Sequence, residues 1–291
     1  MVSVVITSFK EPQTIGKAIN AFLNQDNFNI IKEIIVVAPD DETLDVAKKM
    51  SKENKKVKFL KDPGKGKPTA LNLVIPKTQS GIIVLSDGDV QVDKFAVNVL
   101  LKAFRNDVGA VSGRVIQSNE GDGLFEYWAK VSANAMDTSR RKKINFCTGY
   151  LYAIRKKLYS PIPLDIFADD AYISLSILRK GKNIIYEPQA KVYVRYPDNL
   201  IDWIRQKKRT AGKIYQLNKY FKIKKEREFI SELKSGLISL NMIKILKHIP
   251  YLIFLAIMRL YIWFRIFFDF RLRKRKFEKV WLRPISTKKS F

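Results

Sequence analysis

Ile82-Ile-Val-Leu-Ser-Asp-Gly-Asp89 is the stretch on which the reading of this chain turns. Its apolar run shows no polar alternation, which suits a strand covered on both faces and therefore central in its sheet. Two carboxylates separated by one glycine follow at the carboxyl end of that strand, where open α/β sheets bind ligands. Asp87 and Asp89 in this position can grip a divalent cation that keeps several waters and shares phosphate oxygens. An Asp-x-Asp by itself is as often a solvated turn, so its neighbours have to decide.

Upstream, short β-rich runs alternate with helical patterns, the signature of a mostly parallel sheet flanked by helices. Val2–Thr7 reads as a strand, and Ile15, Ala18, Ile19, Phe22 and Leu23 fall on one helical face. Glu33–Ala38 and Val57–Leu60 are two further strands, with a helix over Thr43–Met50 between them. A Gly/Lys turn then leads into a helix opening at Pro68, the favoured first helical position. Downstream, the spacing predicts a helix over Phe95–Phe104, a strand over Ala110–Ile116 and a helix over Gly123–Asp137. A helix over Asp169–Lys180 ends at Gly181, suited to a left-handed cap. Asn183–Glu187 and Lys191–Arg195 read as two closing strands, and Asn199–Leu217 as a helix.

Several of these elements deliver chemistry-bearing residues. Lys65-Gly-Lys-Pro-Thr-Ala-Leu-Asn72 brings two cations and a flexible backbone to a helix start, a geometry suited to phosphate, one helix ahead of the carboxylate strand. Asp169 and Asp170 open a helix, where acids also serve simply to complement the dipole. The functional alternative is that one of them faces a cleft, its pKa raised by like charge and burial, and takes a proton from a hydroxyl. Gln206-Lys-Lys-Arg209 lies on a basic helix. A single histidine, His248, leaves no material for a histidine-rich metal site, and the lone Cys147 excludes an internal disulfide and reads as packing.

Composition supplies the setting. With 46% apolar and 12% aromatic residues in 291, the chain can pack a substantial core, and its net charge of +26 calls for a polyanionic partner. The first hundred residues are nearly balanced. The excess is densest between Arg205 and Lys289, beside the apolar run Ile249–Phe270, which is interrupted by Arg259, Arg265 and Asp269 and followed by the cluster Arg271–Lys276. Basic charge around an aromatic-aliphatic run favours an anionic membrane surface over nucleic acid, and an interfacial helix over a spanning one. Met1-Val-Ser-Val-Val-Ile-Thr7 lacks the features of a secretory signal, so the expected location is the cytoplasmic face of a membrane. The rival classes are a basic nucleic-acid-binding protein and an inactive membrane scaffold.

Taken in order, these segments over about residues 1 to 215 resemble the family 2 glycosyltransferases, inverting enzymes with the GT-A fold. Val4-Val-Ile-Thr-Ser-Phe-Lys-Glu11 is similar to the first strand and loop that hold the nucleotide base, which implicates Thr7 and Glu11. Glu33-Ile-Ile-Val-Val-Ala-Pro-Asp-Asp41 is similar to the second strand and its acidic loop, with Ala-Pro-Asp-Asp in place of Asp-Asp-Gly-Ser. Asp40 or Asp41 is then left to meet the base. The resemblance further implies that Lys67 lies near the diphosphate and that Asp87 and Asp89 form the metal motif, Asp89 being the direct ligand of Mg2+ or Mn2+. It places Gly149 on the acceptor side and gives Asp170, the second acid of the Asp169-Asp170 pair, the role of general base. Gln206-x-x-Arg209 resembles the Gln-x-x-Arg-Trp motif, but Thr210 stands in the tryptophan position, which argues against processive synthesis. The implied reaction is single displacement from a nucleotide-sugar donor, UDP-sugar favoured, to a lipid-linked or glycan acceptor. Residues 1–215 would be the catalytic domain and 216–291 a basic, aromatic-rich membrane-associating region.

Overall fold

The computed structural model describes residues 1–144, 146–221, 245–269, 273 and 284–288. The described chain forms two compact units, one from Met1–Ile116 and Lys143–Val194, the other from Gln117–Lys142 and Arg195–Lys288. In chain order the strands are β1 (Val2–Thr7), β2 (Ile31–Ala38), β3 (Val57–Lys61), β4 (Ile82–Asp87), β5 (Val90–Val92), β6 (Val108–Gln117), β7 (Leu151–Arg155) and β8 (Asn183–Val194). The helices are α1 (Ile15–Leu23), α2 (Asp41–Glu53), α3 (Lys67–Val74), α4 (Ala96–Lys102), α5 (Leu124–Lys142), α6 (Asp169–Arg179), α7 (Leu200–Phe221) and α8 (Ile245–Phe267).

The strands of the first unit join in one sheet, ordered β3-β2-β1-β4-β7-β6-β8-β5. Pairing is parallel across β3-β2-β1-β4, in register Val5↔Ile35 and Val5↔Leu85. Beyond β4 it turns antiparallel, at β4–β7, β7–β6 and β8–β5, so the sheet is mixed. The largely apolar run of β1, broken only by the buried Ser3, explains its place between two parallel neighbours: Val2, Val4, Val5 and Ile6 are wholly buried. Each such side chain contributes about 1.5–3 kcal/mol relative to exposure. Strand β4 sits fourth of eight, as its unbroken apolar run predicts.

Three strands depart from the sequence reading. β5 has only three residues and β7 only five, each too short to show a periodicity in the sequence. The two closing strands are one, β8, which runs through Pro188; its register with β5 covers only Val192–Val194. At Pro188 the missing N–H leaves no rung of that ladder broken. Helix α1 buries Ile15, Ala18, Ile19 and Phe22 as its spacing requires. Gly66 at φ 99° caps the start of α3, with Pro68 in its first turn, and Gly181 at φ 71° follows α6. Both glycines hold backbone that L side chains rarely adopt.

In the second unit α5, α7 and α8 meet around Trp128, Trp203, Ala211, Ile262 and Ile266. The Trp128 indole N–H donates to the Tyr251 carbonyl at 2.8 Å, and the Trp128 and Trp203 ring centroids are 4.7 Å apart. His248–Phe267 is long and apolar enough to cross a membrane by length and composition, with mean hydropathy 1.6. Of the basic cluster Arg271–Lys276, only Arg273 falls within the described residues, and most of 216–244 and 274–291 lies outside them.

Candidate active site

The carboxyl ends of β1 and β4 lie side by side, with Thr7 opposite Asp87 in the parallel register. The turn between β4 and β5 doubles back over the loop that follows β1. Gly88 permits this approach: a Cβ there would overlap the Ser8 hydroxyl and lie 2.8 Å from a Glu11 carboxylate oxygen. The Gly88 N–H donates to the Thr7 carbonyl at 3.0 Å, and the Ser8 hydroxyl donates to Glu11 at 2.7 Å. Asp87, Asp89, Ser8 and Glu11 are thereby gathered at one sheet end, and all but Asp87 are buried.

Lys67, the second lysine of the Gly/Lys turn, begins α3 and reaches into this group. Its ammonium lies 2.6 Å from Asp87 Oδ1 and 3.4 Å from Asp169 Oδ2. Burial would lower the Lys67 pKa, but Asp169, Asp87 and Asp170 together hold it above the usual lysine range. One cation therefore ties the strand bearing the Asp-x-Asp to the helix bearing Asp169 and Asp170. Both helix acids are buried in the first turn of α6. The Ala171 N–H donates to Asp170 Oδ1 at 2.9 Å, while Asp170 Oδ2 faces Gly149, where a Cβ would come within 3.3 Å of it. Glycine at 149 leaves room beside that oxygen.

Asp40 and Asp41 have firm partners. Asp40 caps α2, accepting from the Thr43 N–H at 3.0 Å and from the Lys10 N–H at 2.8 Å. Burial would raise its pKa, but these bonds and the Thr43 hydroxyl bring it below the ordinary value. Lys10 itself sits at φ 54°, the described non-glycine residue with left-handed backbone, so Asp40 holds a strained loop. Asp41 points elsewhere, pairing with Lys61 at 2.8 Å. Of the two candidates left open by the sequence, Asp40 is thus the one joined to the loop after β1. Gln206 and Arg209 lie on α7 in the second unit.

Tyr152 and Asp62 escaped sequence reasoning, and Asn72 was visible only as the end of the Lys65–Asn72 stretch. Tyr152, on β7, is fully buried with no hydrogen-bond partner for its hydroxyl among the described residues, and burial followed by the charges of Asp169 and Asp170 pushes its pKa up. Asn72 accepts from the Tyr159 hydroxyl at 2.6 Å and the Ile162 N–H at 2.8 Å, and donates to the Ile162 carbonyl at 2.8 Å. It pins the chain leading into α6, a positioning role that a motif cannot reveal. Asp62, after β3, is buried with its pKa raised chiefly by that burial, and accepts from the Gly64 N–H at 2.7 Å. No local signal separates Asp62 from an ordinary loop acid.

Among the described residues no group of three or more acids, histidines or cysteines stands ready to cage a metal. Asp87 and Asp89 nonetheless fit a hard divalent cation of the kind held by one or two carboxylates, its remaining positions filled by water and substrate phosphate.

Residues 1–213 match the family model described as glycosyltransferase like family 2. The chain belongs to this family, and its sheet with flanking helices is a GT-A fold. It is 25% identical over 239 residues to an N-acetylglucosaminyltransferase of Azorhizobium caulinodans, covering 74% of this chain and 60% of that protein. To a poly-β-1,6-N-acetyl-D-glucosamine synthase of Staphylococcus aureus it is 24% identical, over 68% of this chain and 52% of the synthase. The chain thus spans about half to three fifths of the length of these curated relatives. Among solved structures it resembles a mannosyltransferase from Pyrobaculum calidifontis in complex with GDP-mannose and Mn2+, with TM-score 0.59, 18% identity, and coverage of 88% of this chain and 78% of that one.

Proposed function

We propose that this protein is an inverting glycosyltransferase that moves a sugar from a nucleotide-sugar donor, UDP-sugar favoured, to a lipid-linked or glycan acceptor at the cytoplasmic face of a membrane. The observation that carries this reading is the Lys67 ammonium, lodged between Asp87 and Asp169. It makes one charged cluster of the acids suited to a metal and a diphosphate and the acids suited to a proton.

Asp170 is the general base. Its Oδ2, beside Gly149, takes the proton from the acceptor hydroxyl as that oxygen attacks the anomeric carbon. The bond from that carbon to the donor phosphate oxygen breaks on the opposite face, and nucleoside diphosphate departs, so configuration inverts. Lys67 is positioned to offset charge on the leaving diphosphate, and Arg209 is assigned the same part from its motif. Thr7, Glu11 and Asp40 line the loops assigned to the nucleotide. A divalent cation, Mg2+ or Mn2+, held through Asp89 and Asp87, would supply further stabilisation of the diphosphate.

Residues 1–215 are assigned to catalysis and 216–291 to membrane association. Support for the latter comes from the apolar helix α8, the basic excess of the C-terminal part, and a polysaccharide synthase among the relatives. The base assignment is tested by Asp170→Asn. Transfer should fall by about 10²–10⁴-fold while donor affinity, read by calorimetry, stays within a few fold. Transfer retained by the asparagine variant would remove Asp170 from the role.

A further inference from the structure

Helix α8 is apolar on both its buried and its exposed face. One face is buried, with Ile262 and Ile266 packed among Trp128 of α5 and Trp203 of α7. On the opposite face Ile249, Ile253, Ile257, Leu260, Phe264 and Phe267 recur at spacings of three and four, each between 39% and 65% exposed. The two arginines of the helix, Arg259 and Arg265, are half-buried and stand off this stripe. A helix on the surface of a soluble protein turns a polar face outward. The stripe runs the length of the helix, about 27 Å at 1.5 Å per residue, and single exposed apolar residues do not form such a continuous patch.

The helices beneath α8 decide how it meets lipid. If α8 crossed a bilayer while packed as it is, α5 and α7 would be carried into the hydrocarbon with it. Helix α5 ends in Arg140-Arg-Lys142, and α7 carries Lys207, Lys208 and Arg209 in succession. Lys208 also pairs at 3.0 Å with Asp269, itself fully buried just beyond α8. Charges of this density do not enter a bilayer core. We propose that α8 lies in the plane of the membrane, its stripe sunk to the acyl boundary of an anionic leaflet, with α5 and α7 on the aqueous side. The chemistry of the lipid follows from charge: the chain carries +26 overall, and Arg271-Leu-Arg-Lys-Arg-Lys276 begins within four residues of the end of the helix in the sequence. The proposal refines the membrane-associated reading above and stands independently of the part given to Asp170.

The test uses the full chain in a Cys147→Ser background with single cysteines Ile253→Cys, Ile257→Cys, Leu260→Cys and Phe264→Cys, each bearing a fluorophore. Vesicles of phosphatidylcholine, with or without phosphatidylglycerol, carry bromine at shallow or deep positions along the acyl chain. All four sites should be quenched most by shallow bromine, to a similar extent, and only when phosphatidylglycerol is present. Ile257→Ser combined with Leu260→Ser should lower vesicle partitioning by about tenfold. Quenching of Ile257 and Leu260 chiefly by deep bromine, with Ile253 and Phe264 shallower on either side, would mean a spanning helix and overturn the proposal. So would an absence of quenching accompanied by concentration-dependent self-association, which would assign the stripe to a second copy of the chain. Nucleoside-diphosphate release by the same labelled chains reports separately whether the catalytic reading stands.

Discussion

Lys67 lies within ion-pair distance of Asp87 and Asp169, and Asp170 adds to the field that keeps its proton in place. Removing that cation leaves buried like charges facing one another, a worse outcome than the loss of one attractive contact. Lys67→Met should therefore lower kcat/KM for transfer by about 10²–10³-fold, the scale of losing one preorganised charge from an active site. Steady-state kinetics with saturating metal would show it. The residue types at this site were legible in the sequence, because strand ends and helix starts present them in order. Tyr152 and Asp62 were not, and Asn72 showed only as the end of the Lys65–Asn72 stretch, since their partners are brought together only by the fold.

At the scale of elements, the β4–β5 turn and the loop after β1 are forced close, and the room for this is the missing side chain of Gly88. Gly88→Ala places a methyl group against Ser8 and Glu11, and the turn has to shift. A loss of about 1–3 kcal/mol in stability, measured by denaturant unfolding, is expected, together with weaker metal-dependent donor binding. Glu33 plays a comparable part at the far end of β2. It is buried, and accepts from the Ser3 hydroxyl, the Gln79 N–H and Lys58, each at 2.7 Å. Burial would raise its pKa, but Lys58, Gln79 and Ser3 bring it below its ordinary value of 4.5. Its stabilising contribution is therefore complete above that value and is lost as pH falls through the lower folded one. Glu33→Gln should be less stable at neutral pH by about 1–3 kcal/mol and should show a shallower loss of stability in acid, read from unfolding midpoints across pH. Glu33 was visible in the sequence only as the first residue of a strand. Its network links β1, β3 and the turn before β4, and no local pattern encodes that. The parallel half of the sheet was readable from its apolar runs, whereas β5 and β7 were too short to announce themselves and Pro188 made one strand look like two.

Across the whole molecule, charge and apolar surface are unevenly distributed. The first hundred residues hold Glu11, Asp40, Asp87 and Asp89 of the candidate site at near-zero net charge, while the basic excess accompanies α7 and the stripe of α8. That distribution was legible as composition, but the face on which α8 is exposed required its packing partners. The central claim concerns chemistry and is tested most directly by nucleoside-diphosphate release from UDP-, GDP- and dTDP-sugars, with Mn2+ or with chelator, comparing the intact chain with Asp89→Ala. Release from one donor class that requires the metal and is lost in Asp89→Ala is the expected result. Release from none of the donors with lipid-linked acceptors supplied, or release indifferent to both chelator and Asp89→Ala, would contradict metal-dependent transfer at this site.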